Sequence, residues 1–170
     1  EIRQELEKSF GNRIFYRDGK LNRKLLAKIA FSDEAKTERL NRIVHPQMVS
    51  RIVSLVEEAR ESQKFSIILV DAALIYELSL EHMFDAVVVV SSKLSQRLER
   101  IRKRDDLSDN EIIDRINKQI PIEDKMQWAD FLIENNEDLE TLKQNSRKLF
   151  HELQKLVRRK SQIARTRVRS

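Results

Sequence analysis

Apolar side chains recur every three or four positions along most of this chain, and the pattern is interrupted by a few short, continuous apolar runs. Ile2, Leu6 and Phe10 are spaced four apart, so 1–10 reads as a helix already in progress, uncapped at its start, with Gly11 placed to end it. A turn is expected at Asp18-Gly19. The helical pattern resumes from Leu21 to Phe31 through Leu21, Leu25 and Ile29, and Ser32 is placed to cap a further helix. That helix should stop at His45, because the residue before a proline avoids the helical region. Pro46 then suits the first turn of another helix, reaching about Ser62 and burying Met48, Ile52, Leu55 and Val56.

Phe65 to Val70 (FSIILV) is short, continuous and rich in β-branched residues. It predicts a strand covered on both faces in a parallel sheet and ending at Asp71. Ala86 to Val90 (AVVVV) predicts a second strand, and Phe131 to Ile133 (FLI) a third and weaker one. Between them lie a charged helix from Lys93 to Arg104 and another begun by the capping pair Ser108 and Glu111, which Pro121 breaks. Asp138 caps a long amphipathic helix through Leu139, Leu142, Leu149, Leu153 and Leu156. Strands alternating with helices place the chain in the α/β class. Three strands make a thin sheet, so a strand is expected to be missing or donated from elsewhere.

Composition narrows the chemistry. The 170 residues suit a single domain, and the absence of cysteine excludes disulfides, thiolate nucleophiles and cysteine-bearing zinc sites. No apolar run approaches the ~20 residues of a membrane helix, and no secretory segment opens the chain, so a soluble, cytoplasmic protein is expected. The net charge of +5 belongs to the end of the chain: Arg158, Arg159, Lys160, Arg165, Arg167 and Arg169 follow Val157 with no acidic residue among them. This stretch, 158–170, reads as a solvated basic tail; contact with a nucleic acid or anionic surface is the minority reading and is disfavoured.

Four segments in order carry a resemblance: GKLNRKLLAKIAF, LNRIVHP, ILVDAALIYE, and QRLERIRKRDDLSDNEIIDRINKQ running on to ADFLIENN. Together they make the chain similar to the dephospho-coenzyme A kinase family across roughly Phe10 to Leu156. The resemblance implies a P-loop, nucleoside-monophosphate-kinase-like parallel sheet with a helical substrate part at 10–62 and a lid at 93–128. It also implies transfer of the γ-phosphoryl group of ATP, carried with Mg2+, to the ribose 3′-hydroxyl of dephospho-coenzyme A, the last step of coenzyme A synthesis.

Phosphoryl transfer needs positive charge around the moving group, and arginine forks grip phosphate oxygens in pairs. Arg100 and Arg104 lie four apart on one helix, and with Arg115 they look like the lid; the competing reading is a solvated, charge-dense helix face. Asp71, at the expected strand end, could orient magnesium or its waters, or could simply cap a turn. Leu74, Tyr76 and Glu77 would wall the acceptor, although the loop departs from the family's Pro-Leu-Leu-Phe-Glu pattern and lacks its proline. Arg23 would lie near the acceptor nucleotide or form a surface ion pair, and His45 would touch substrate or serve the helix end. Arg115-x-x-x-Gln119, following Arg104-Asp105-Asp106, matches the family's lid pattern, and Asn135 and Asn136 would border adenine. Glu137 replaces the glycine expected after them.

GxxxxGK(S/T), the loop that cradles the phosphates, occurs nowhere in the 170 residues. Gly11 and Gly19 are the only glycines, and neither precedes a lysine-serine pair. An uncapped first helix and a thin sheet suggest N-terminal truncation, and the chain is expected to be inactive alone. Two further readings stay open: a non-catalytic protein that binds nucleotides or a partner chain, and another nucleoside or nucleotide kinase. Self-association is left open.

Overall fold

The structure, a computed structural model, describes residues 2–105 and 107–167, with side chains up to 159. It divides into two compact units, one ending at Val70 and the other beginning at Asp71.

In the first unit, α1 (Ile2–Phe10) ends at Gly11, whose N–H still donates to Glu7 O at 2.8 Å and whose positive φ of 81° then turns the chain out of the helix. A short 3-10 turn (Asn12–Ile14) leads to Phe15, which bridges Leu21 across the tight turn at Asp18-Gly19. Arg3 lies over the Phe15 ring at 4.9 Å and ties that turn to α1. Next, α2 (Arg23–Ala30) is capped by the Asn22 side chain. Leu6, Phe10, Ile14, Leu26, Ala30 and Ile43 form the buried core of this unit, with Ile2, Phe15, Leu21, Ile29, Leu40 and Val44 packed around it.

The long α3 (Glu34–Glu61) corrects two expectations. Its cap is Asp33, not Ser32: Asp33 Oδ1 accepts the Lys36 N–H at 2.9 Å, while the Ser32 hydroxyl donates back to Ile29 O. Nor does it stop at His45. Pro46 lies inside the helix. Its ring is exposed, as is Arg42 four residues earlier, so water can satisfy the carbonyl that loses its partner. Leu55, expected in the buried stripe, is 45% exposed.

The expected strand at 65–70 does not form. The segment carries no ladder, and Phe65 and Leu69 are 62% and 77% exposed. A continuous β-branched run states a preference for being covered on both faces, whereas a strand exists only where a neighbour completes its hydrogen bonds.

The second unit holds a parallel pair, β1 (Val88–Ser91) and β2 (Phe131–Glu134), in register from Val88 opposite Phe131 to Ser91 opposite Glu134. Asp130 starts the pairing by accepting the Val87 N–H on Oδ2 at 2.8 Å. Between the strands run α4 (Leu94–Arg104), α5 (Asp109–Asn117) and α6 (Ile122–Trp128); α7 (Leu139–Arg167) follows. Ser108 and Glu111 form the expected capping box, and Asp138 caps α7 through the Thr141 N–H. The architecture is α/β with a small parallel sheet. Among the described residues, no helix is long and apolar enough to cross a membrane.

Candidate active site

The carboxyl ends of β1 and β2 are where an α/β sheet presents its ligand groups. Here the chain is held by a run of hydrogen bonds. The Asn135 N–H donates to Ser91 O at 2.8 Å, and the Lys93 N–H to Asn136 Oδ1 at 2.8 Å. Gln96 Nε2 donates to Asn136 O at 2.6 Å, while Arg100 Nη2 spans Asn135 O at 3.0 Å and Oδ1 at 3.3 Å. Arg100, Asn135 and Asn136 therefore stand together. Glu137 does not need the glycine it replaces: Gln63 and Ser79 are the non-glycine positive-φ positions among the described residues, so this turn is built without one.

Further along α4 the charges gather at its junction with α5. Arg104 Nη2 meets Asp105 Oδ2 at 2.8 Å. That hydrogen bond, the Arg104 charge and the nearby Arg115 charge outweigh partial burial and hold the Asp105 carboxyl below the usual carboxylate range. Arg104 and Arg115 thus share one acidic neighbour. Arg102 forks onto Asp109 and joins the two helices. Gln119 is exposed just past the end of α5, and Asp106 lies outside the described residues, as do the side chains of the basic tail from Lys160 on.

The loop 74–80 folds on itself, with the Leu78 N–H donating to Leu74 O and the Leu80 N–H to Ile75 O. Leu74, Tyr76 and Glu77 are half-buried on it. Tyr76 packs edge-on against Trp128 at 5.5 Å between ring centres, and burial, then the Asp130 and Glu81 charges, push its phenol up. Glu77 Oε1 accepts Lys125 Nζ at 2.5 Å and the Ile120 N–H at 3.3 Å.

Other expected site residues lie on other segments of the chain. Asp71 is exposed in irregular chain where a strand end was expected, because the run before it has no strand partner. Arg23, exposed at the first position of α2, and His45, half-buried within α3, belong to the first unit. Gln96 and Lys125 escaped sequence reasoning. Gln96 sits four before Arg100 on the same helix face, a spacing that could have flagged it; Lys125 acts across 48 residues, which no local pattern encodes.

Residues 1–141 match the family described as dephospho-CoA kinase. The chain belongs to the dephospho-CoA kinase family. It is 39% identical over 142 residues to the dephospho-CoA kinase of Listeria monocytogenes, covering 81% of this chain and 68% of that protein. It is 33% identical to the one from Fusobacterium nucleatum, covering 83% and 71%. Among solved structures, dephospho-CoA kinase from Campylobacter jejuni superposes with a TM-score of 0.62 at 25% identity, over 91% of this chain and 76% of that one. A Thermus thermophilus structure superposes with 0.65 at 27%, over 88% and 75%. The fold is that of the P-loop kinases of this family, and the chain spans about two thirds of the length of its Listeria relative. Its 170 residues contain no GxxxxGK(S/T).

Proposed function

We propose that this chain supplies the acceptor wall and lid for transfer of the ATP γ-phosphoryl group to the 3′-hydroxyl of dephospho-coenzyme A, in the cytoplasm and with Mg2+. The observation that carries the reading is the arrangement of α4: Arg100 is anchored over the Asn135 carbonyl at the sheet's carboxyl end, and Arg104 and Arg115 gather around Asp105. Guanidinium groups so held need little reorganisation to receive phosphate oxygens. Asn135 and Asn136 would border adenine, and Leu74 and Tyr76 would wall the acceptor. Within the second unit, 93–128 would be the lid.

Among the described residues no three or more His, Asp or Glu side chains gather as a metal cage. Mg2+ bound mainly through phosphate oxygens and water asks for one or two carboxylates, a demand Asp71 fits. The metal would neutralise charge on the phosphates.

Calorimetry with dephospho-coenzyme A, AMP, dCMP and uridine, paired with an ATP turnover assay, tests the reading. Binding of dephospho-coenzyme A alone among the acceptors is expected; equal affinity for AMP would point to another nucleotide kinase. Because the phosphate-cradling loop is not encoded in these residues, turnover by this chain should be lower by at least ~10² than in a relative that has it. A second reading is a protein that binds the acceptor without catalysis; binding with zero turnover even when GxxxxGK(S/T) is supplied would select it.

A further inference from the structure

We infer that Lys125 is a positioning residue, clasping the acceptor loop through Glu77 to the α5–α6 junction; the inference rests on the reading of loop 74–80 as the acceptor wall. Glu77 was expected to contact substrate. Its Oε1 is instead committed to Lys125 Nζ and the Ile120 N–H, and Glu77 and Lys125 side chains are only 16% and 11% exposed. An ion pair so far from water holds its geometry, since either charge left alone there is strongly disfavoured.

Ile120 directly follows Gln119, and Arg115 lies one helical turn earlier, so one carboxylate oxygen links the loop to the end of the lid region. Trp128, three residues beyond Lys125, is half-exposed and packs on Tyr76 at the same loop. The Tyr76 hydroxyl and Glu77 Oε2 are buried without a hydrogen-bond partner among the described residues. Buried polar atoms without partners are rare, and two adjacent ones place unused hydrogen-bonding capacity beside the clasp. The loop's position thus depends on Lys125, a residue that itself needs no contact with the acceptor.

The test compares the wild-type chain with Lys125→Met and Lys125→Arg. Amide hydrogen exchange is followed at 74–80 and at Ile120, and dephospho-coenzyme A affinity by calorimetry. Lys125→Met should speed exchange at both places by roughly tenfold or more, leave 139–159 unchanged, and weaken the acceptor about tenfold, with ATP affinity within about twofold. Lys125→Arg should restore part of each loss. Glu77→Asp, which keeps the charge and shortens its reach, provides the contrast if Lys125→Met does not fold. Unchanged exchange, or a rise spread evenly over the unit, overturns the clasp. Faster local exchange with unaltered acceptor affinity overturns the positioning role. A wild-type chain that shows the protection but binds no dephospho-coenzyme A also overturns that role, through failure of the acceptor reading, and leaves the clasp itself supported.

Discussion

Arg102 on α4 holds Asp109 on α5 by two parallel hydrogen bonds, Nε to Oδ1 at 2.6 Å and Nη2 to Oδ2 at 2.5 Å. The pair joins two helices that also pack on one another, and Ile112 of α5 is fully buried. The Arg102 hydrogen bonds, then its charge, hold the Asp109 carboxyl below its ordinary range. A carboxylate so lowered stabilises the folded state above its unfolded value, and that contribution fades as pH falls through the folded value. Asp105, held by Arg104, and Glu111, held by Ser108, act in the same direction.

Acidification below about pH 4 should therefore loosen the α4–α5 junction before the rest of the second unit. Amide exchange in 109–117, followed as pH is lowered, measures this. Asp109→Asn should raise exchange at neutral pH and flatten the dependence on acid. Identical profiles for the variant and the parent would show that the Arg102–Asp109 pair does not hold the junction.

Arg100 should matter to ATP more than its exposure suggests. Replacement by alanine is expected to weaken ATP binding about tenfold, and lysine to rescue little of it, because with Nη2 held by Asn135 O and Oδ1 the guanidinium keeps further N–H groups to grip a phosphate, which an ammonium does not offer in that fixed plane. Titration calorimetry decides. Equal ATP affinity in all three proteins would mean that Arg100 only braces the sheet end.

Pro46 interrupts the hydrogen bonding of α3 on an exposed face, so Pro46→Ala should stabilise the first unit by about 1–2 kcal/mol. Thermal or urea unfolding tests the sign. A loss of stability would show that the proline's ring, not its missing N–H, governs the site.

Gly19 has φ +82°, and a methyl group there would meet the Arg3 guanidinium at 3.1 Å. Gly19→Ala should cost about 1 kcal/mol and perturb the stacking of Arg3 on Phe15. Urea unfolding of Gly19→Ala, alone and with Arg3→Ala, separates backbone strain from the collision: strain persists without Arg3, and crowding vanishes.

The helices were legible because their signals are local. Gly11, Asp18-Gly19, the Ser108–Glu111 box and the Asp138 cap each act over a few residues, and each stands where the pattern placed it. Two strands were legible from β-branched runs. The run at 65–70 was misleading because pairing is a property of two segments, and one of them cannot report on the other. His45-Pro46 misled for a different reason: the backbone preference of one dipeptide was outweighed by a helix of 28 residues capped at Asp33 and anchored by Ile43. Of the site residues, Arg100, Asn135 and Asn136 converge, because short connections at the sheet end keep them close. The bond from Lys125 to Glu77 lay beyond reach, since a buried pair of opposite charges looks, in sequence, like any two residues of a solvated face.

The irregular stretch from Phe65 to Val70 has a practical consequence for anyone handling the protein. Its backbone amides and carbonyls carry no strand partner, and two of its larger apolar side chains face water. Such a ribbon is adhesive toward any similar edge, so clouding should worsen with concentration and with salt, and a lysine in place of Leu69 should keep solutions clear.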